Sequence, residues 1–303
     1  MEGAPEMADY GLLWKCISRF FCFFSIFLFF VIVPLDSLSS TESEMMYLDA
    51  LAKRLIKDGF DEKQIQELFR RAEVRFDTRG VSLFSVHQES KLNYGQFLSG
   101  SNIQKARQYM EQHQSTLQMA ERVYGVEKEV ITAIMLVETR LGTYLGGSSI
   151  LNSLSTMAAL SDPESREFIW NKMSKTSDHT RSQFNSWSDR KTDWAYNELK
   201  AFITYTQQEA VDPLSINGSY AGALGICQFM PSNVLKIARD GNLDGRINLF
   251  DHADAIASIA NYLKVHGWSP GLDRDKQYQV LLRYNYSKPY ANTLIDIAQR
   301  LKG

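Results

Sequence analysis

The chain has 303 residues, enough for one large domain or two small ones, and its 44% hydrophobic content is that of an ordinary globular protein. A formal net charge of −2 gives a nucleic-acid partner no global electrostatic support. Its three cysteines exclude a disulfide framework or a zinc pattern: Cys16 and Cys22 lie in or beside an apolar N-terminal segment, and Cys227 stands alone in the body.

In chain order, Lys15 and Arg19 precede residues 20–35, an uncharged run very rich in Phe. As a helix this run spans roughly 24 Å, short of a hydrocarbon core of roughly 30 Å. That length suits a signal peptide, with an uncleaved membrane anchor over residues 1–36 as the alternative. Either way the remainder is expected to be exported. Residues 37–46 read as a polar linker. Residues 47–76 carry helical periodicity, broken at Asp58-Gly59 with a new N-cap at Asp61. Residues 77–101, with Gly80, Gly95, Gly100 and many Ser, read as an irregular connection. Helices are expected over 102–124, 127–140, 149–160, 193–210, 231–239, 251–266, 275–284 and 289–301. Residues 171–192 are polar and read as a loop or lid. Alternating strands are not expected, so the fold class is mainly α with long functional loops.

Four stretches carry chemistry. In V-E-T-R-L-G, residues 137–142, Glu138 falls on the apolar stripe of Ile131, Ile134, Met135 and Leu141. Burial of a carboxyl raises its pKa, which suits a general acid; a Glu paired with an Arg or capping a backbone group is the structural alternative. In G-S-Y-A-G-A-L-G-I-C-Q-F-M-P-S, residues 218–232, glycines and small residues surround Tyr220, Gln228 and Phe229, and the Lys-Ser/Thr of a phosphate loop is absent. Ser219 and Gln228 offer neutral hydrogen bonds and Tyr220 an aromatic face with a polar tip, as the wall of a groove for a polar polymer requires; a tight packing loop is the alternative. In residues 240–251, oxygen ligands fall at loop positions 1, 3, 5 and 12 (Asp240, Asn242, Asp244, Asp251). Gly245 takes the sharp turn and Arg246 offers its carbonyl at position 7. Asp in place of Glu at the last position shortens that arm. Finally, Y-N-Y-S-K-P-Y, residues 284–290, clusters Tyr and Asn side chains that can stack on and hydrogen-bond to sugars.

In this order the four motifs resemble the membrane-bound lytic murein transglycosylase B family, over roughly residues 100–303. The resemblance implies a lysozyme-like α-domain at 102–303, preceded by an N-terminal helical segment at 47–101. The implied reaction is cleavage of the β-1,4 bond between N-acetylmuramic acid and N-acetylglucosamine in peptidoglycan. It further implies that Glu138 is the single catalytic acid/base and that residues 240–251 form an EF-hand-type loop for structural Ca2+, with no organic cofactor. Ser219, Gln228, Tyr284, Asn285 and Tyr290 match positions lining the glycan cleft, and Arg190, with Lys191, matches a basic pair near the peptide stem. The implied location is the periplasm, with inner-membrane attachment through residues 20–35 as the alternative to cleavage. The chain departs from the family in a shorter stretch between Trp268 and Tyr284 and in a divergent, expanded stretch over 161–189.

Most glycosidases use two carboxylates, whereas these motifs present one. Glu138 acting alone predicts a non-hydrolytic cleavage that leaves 1,6-anhydromuramoyl ends, the substrate's N-acetyl group replacing the second carboxylate. A lysozyme-type hydrolase with Asp193 or Asp212 as base is the first rival. A peptidoglycan-binding protein without turnover is the second, and a calcium-regulated partner-binding protein the third, with no second EF-hand loop to support it.

Overall fold

A computed structural model describes residues 35–174 and 180–302; all but the last two residues of the signal or anchor segment expected at 1–36, and residues 175–179, lie outside the described residues. The first helix, α1 (Leu35–Lys57), buries Leu48, Leu51, Ala52 and Leu55 at helical spacing. It runs through residues 37–46 and so corrects the expectation of a linker there. Glu44 holds that polar stretch in place, its Oε1 accepting the Phe76 amide at 2.5 Å and its Oε2 pairing with Lys172 at 2.7 Å. Asp61 caps α2 (Glu62–Phe69) and Asp77 caps α3 (Thr78–Val86), each side chain accepting a backbone N–H at 2.8 Å. Helix α3 and two 3-10 turns at Glu89–Lys91 and Tyr94–Leu98 replace the irregular connection expected over 77–101. Val81 and Tyr94 are buried there, so the segment is anchored on the body.

The helix expected over 102–124 is divided at His113 into α4 (Gly100–Gln112) and α5 (Gln114–Tyr124). Helix α6 (Lys128–Thr139) leads through a glycine-containing turn to the two-residue strand β1 (Ser148–Ser149) and α7 (Ile150–Ala159), every residue of which is buried. Then come α8 (Pro163–Met173), α9 (Arg181–Gln208), strand β2 (Asn217–Gly218) and α10 (Pro231–Ile237). The chain closes with α11 (His252–Val265), α12 (Arg274–Tyr284) and α13 (Lys288–Lys302).

The lid expected over 171–192 is corrected: α8 ends at Met173 and α9 starts at Arg181. A Thr180–Gln183 capping box starts α9. Phe184, Trp187 and Ser188 form its buried stripe, continued by Ala195 and Leu199, so the polar composition of this stretch is that of one solvated helix face. The central α7 packs along α9; α6 packs against α13 and α4, α10 against α9, and α11 against α5. Leu48 near one end and Leu301 near the other belong to one hydrophobic cluster, so residues 47–101 share the core of 102–303. Antiparallel pairing of β1 with β2 joins the start of α7 to the glycine-rich stretch. Among the described residues no helix is long and apolar enough to cross a membrane.

Candidate active site

Glu138 sits in the last turn of α6, a helix buried along most of its length. Beyond it the helix stops within one residue: Arg140, Leu141 and Gly142 all take positive φ, at 51°, 63° and 84°. Two consecutive non-glycine residues in the left-handed region are strained, and such strain persists only where the surroundings enforce it. Here Thr139 enforces it. Its hydroxyl donates to the Ile226 carbonyl at 2.9 Å and accepts the Gly142 amide at 3.0 Å, tying the helix end to the glycine-rich stretch. Glu138 is thereby held at the cleft surface, half-buried.

Two cavities, of 830 and 440 Å³, share Glu138, Ser219 and Tyr220 in their walls. The larger runs past Tyr144, Gly146 and Gln228 toward Arg75, Arg79 and Lys172; the smaller past His87, Glu89, Tyr94, Asn285 and Tyr290. Glu138 thus stands where the two cavities adjoin. The close approach of two backbones shapes this wall. A Cβ on Gly146 would lie 2.1 Å from the Gly218 carbonyl oxygen, and Gly146 itself has φ +90°. Gly146→Ala should therefore lower stability by about 2 kcal/mol; a thermal midpoint equal to that of the unsubstituted protein would contradict this packing.

Tyr290, buried on α13, donates its hydroxyl to Glu138 Oε1 at 2.5 Å. Glu138 Oε2 accepts from no protein donor among the described residues. Burial pushes the Glu138 carboxyl up to about 7, against the lowering effect of the Tyr290 hydrogen bond and with a further rise from the charge of Glu89. Near neutral pH this carboxyl exists in both forms, so it can give a proton and take one back.

The structure brings most of the expected cleft residues together. Ser219 Oγ accepts the Ala223 amide at 3.0 Å, which leaves its proton for a ligand. Gln228, at φ 50°, donates Nε2 to the Gly225 and Leu145 carbonyls at 2.9 and 3.3 Å and so keeps its carbonyl oxygen for the larger cavity. Tyr220 bonds through its hydroxyl to His87 Nδ1 at 2.8 Å. Asn285 donates Nδ2 to Glu89 Oε1 at 2.8 Å. Two residues lie elsewhere. Tyr284 donates its hydroxyl to the Cys227 carbonyl at 2.6 Å and packs on Phe229, Tyr262 and Tyr290, behind the wall and lining neither cavity. Arg190 is exposed on α9 and also lines neither; its neighbour Lys191 lies over the rings of Phe84 and Trp194.

Glu89, Tyr94 and His87 are cleft residues that sequence reading missed. No periodicity marks them, and their partner Asn285 is 196 residues away from Glu89. The two other carboxylates considered as bases are outside the cleft. Asp193 is exposed beside Arg54, and Asp212 pairs with Arg71 at 2.7 Å while capping a 3-10 turn.

The acidic loop supplies hard oxygen donors, which suit a cation such as Ca2+. Asp240 turns both oxygens onto the backbone amides of Leu243, Asp244 and Gly245. Asn242 and Asp244 each accept an amide two residues on. Arg246 presents its amide to Asp244, and Asp251 caps α11 by accepting the Ala253 and Asp254 amides. The loop's shape rests on a residue the motif did not include. Asp254, fully buried, accepts the Gly241, Asn242 and Asn248 amides. Among the described residues no three Asp, Glu, His or Cys side chains converge as a metal site. The donor chemistry thus fits a hard cation at Asp240, Asn242 and Asp244, while Asp251 is engaged as a helix cap.

The fold is thus a mainly helical body that holds one half-buried acid in a polar, aromatic-lined cleft. Residues 43–275 match the family model described as the transglycosylase SLT domain, and the chain belongs to that family. It is 35% identical over 231 residues to membrane-bound lytic murein transglycosylase B of Escherichia coli strain K12, covering 72% of this chain and 56% of that protein. The chain thus spans little more than half the length of that relative. Among solved structures, soluble lytic transglycosylase SltB1 of Pseudomonas aeruginosa aligns with a TM-score of 0.68 at 24% identity, over 84% of this chain and 98% of that one. The Escherichia coli lytic transglycosylase Slt35 in complex with calcium aligns with a TM-score of 0.66 at 24% identity, over 84% and 92%. Both share this fold.

Proposed function

We propose that this protein is a lytic transglycosylase of peptidoglycan, cleaving the β-1,4 bond between N-acetylmuramic acid and N-acetylglucosamine without water. The observation that carries this reading is Glu138: a carboxyl pushed up to about 7 where two cavities meet, with one oxygen held by Tyr290 and the other free. In the first step Glu138 gives its proton to the glycosidic oxygen. The bond from that oxygen to C1 of the muramoyl residue breaks, and the 4-hydroxyl of N-acetylglucosamine leaves. The muramoyl acetamido oxygen bonds to C1 and shares the positive charge. In the second step the Glu138 carboxylate takes the proton of the muramoyl 6-hydroxyl. O6 bonds to C1 and displaces the acetamido oxygen, giving the 1,6-anhydro ring and returning Glu138 to its acid form. Ser219 donates a hydrogen bond that orients the acetamido group. The positions of Asp193 and Asp212 outside the cleft leave a lysozyme-type hydrolase without either of its suggested bases. Purified protein should convert intact sacculi into soluble muropeptides; sacculi that stay insoluble while binding the protein would favour the non-catalytic reading.

Two further parts belong to the same proposal. The protein acts in the cell envelope, reached by export through residues 1–36. The acidic loop takes Ca2+ in a structural role through Asp240, Asn242, Asp244 and the Arg246 carbonyl, with the Oδ2 of Asp251, which the helix cap leaves unused, closing the set. The calcium in the Slt35 complex supports this. A ligand that binds only the folded state stabilises it, so a chelator should lower the thermal midpoint and added Ca2+ restore it. A midpoint indifferent to both would remove the ion from the account.

A further inference from the structure

The smaller cavity holds a second carboxylate that the mechanism above does not use. Glu89, half-buried at the start of the first 3-10 turn, receives hydrogen bonds from three residues, His87, Tyr94 and Asn285. His87 Nε2 lies 2.8 Å from its Oε2, Asn285 Nδ2 lies 2.8 Å from its Oε1, and the Tyr94 hydroxyl donates to Oε1 as well. Burial alone would raise its pKa, but the bonds from His87, Tyr94 and Asn285 outweigh burial and hold it below the usual carboxylate range. Glu89 is therefore an anion held by three donors, with both oxygens engaged, and is poorly suited to be a nucleophile or a base.

An ionised carboxylate only accepts hydrogen bonds. That fact orients everything around Glu89. The Asn285 amide must turn its nitrogen to Glu89, which leaves Oδ1 for the cavity that Asn285 lines. His87 must carry its proton on Nε2, so in the neutral ring Nδ1 accepts from the Tyr220 hydroxyl at 2.8 Å. The Tyr94 ring packs edge-on against that of Tyr290 at 5.6 Å, and Tyr290 donates to Glu138. One anion thus sets the polarity of two cleft walls and braces the donor to the catalytic acid.

We infer that Glu89 is a positioning residue of the catalytic cleft: it fixes the Asn285 carboxamide with its oxygen toward the substrate, where that oxygen accepts the N–H of the muramoyl acetamido group. Held by its N–H, the acetamido group directs its carbonyl oxygen to C1, as the reaction proposed above requires; the inference rests on that reading. Glu89 also faces Glu138 as a negative charge. The other titratable groups facing Glu138 are Tyr94, Tyr284, Tyr290 and Cys227, none of them a cation. Its charge thus favours the protonated acid.

Two substitutions separate these effects. Glu89→Ala removes the acceptor, and Glu89→Gln keeps an acceptor of the same shape but removes the charge. On soluble glycan oligomers of N-acetylglucosamine and N-acetylmuramic acid, Glu89→Ala should lower kcat by about 10- to 100-fold with KM nearly unchanged. Glu89→Gln should regain most of that rate, and the alkaline limb of its pH profile should move to lower pH, because Glu138 loses its proton sooner. A Glu89→Ala enzyme with unchanged kcat, or a Glu89→Gln enzyme with an unmoved alkaline limb, would overturn the inference. If Glu89→Ala does not fold, the pH profile of Glu89→Gln decides alone. Hydrated ends from the unsubstituted enzyme would instead overturn the transglycosylase reading, and with it the role given to the acetamido group, so the two failures are distinguishable.

Discussion

Glu138→Gln should reduce solubilisation of purified sacculi by about 10³-fold or more, since one side chain serves both as the acid of the first step and as the base of the second. Glutamine matches the shape of glutamate and can still accept the Tyr290 hydroxyl, which donates to Oε1 at 2.5 Å. The variant should accordingly fold, bind sacculi and stall. Retained turnover would move the catalytic role away from Glu138. Asp193 and Asp212 are poor heirs to it, since each is paired with an arginine outside the cleft.

The same substitution should change the pH dependence of stability. The Glu138 carboxyl stands at about 7 in the folded protein against an ordinary value of 4.5. Below about pH 4.5 both states hold the proton and the site contributes nothing. Between the two values the unfolded chain has released a proton that the folded chain keeps, so stability falls as pH rises. Above about 7 the loss is complete, at about 3 kcal/mol from the size of the shift. Glutamine does not titrate. Glu138→Gln should therefore match the unsubstituted protein near pH 4.5 and exceed it in stability at pH 8. Denaturant midpoints that run parallel for the two proteins from pH 4.5 to 8 would show that burial does not perturb this group.

A buried carboxyl costs stability once it ionises, so its presence on an apolar stripe stands out, and this is why Glu138 was legible in the sequence. Its place on the stripe of Ile131, Ile134 and Met135 follows from helical spacing alone, and the structure buries those three side chains beside it. The glycine-rich wall was legible for a similar reason, since Gly146 and Gly218 occupy positions where a Cβ would meet backbone. Other features are not local. Residues 181–192 look like a polar loop because one face of α9 is solvated; only Phe184, Trp187 and Ser188, read at helical spacing, betray the buried side. The two-residue strands at 148–149 and 217–218 are too short to alternate. Tyr284 and Tyr290 are both tyrosines of one motif, yet one reaches Glu138 and the other a backbone carbonyl behind the wall. Glu89 has no local signature at all: its meaning comes from Asn285 and Tyr94, which only the fold brings to it.

In the proposed reaction one carboxyl works alone and the substrate's own 6-hydroxyl takes the place of water. Mass spectrometry of muropeptides released from sacculi by the purified protein tests it most directly. The expected muramoyl ends are lighter than a reducing end by the mass of one water and resist borohydride reduction. Reducible, hydrated ends as the main product would contradict it and make the protein a hydrolase.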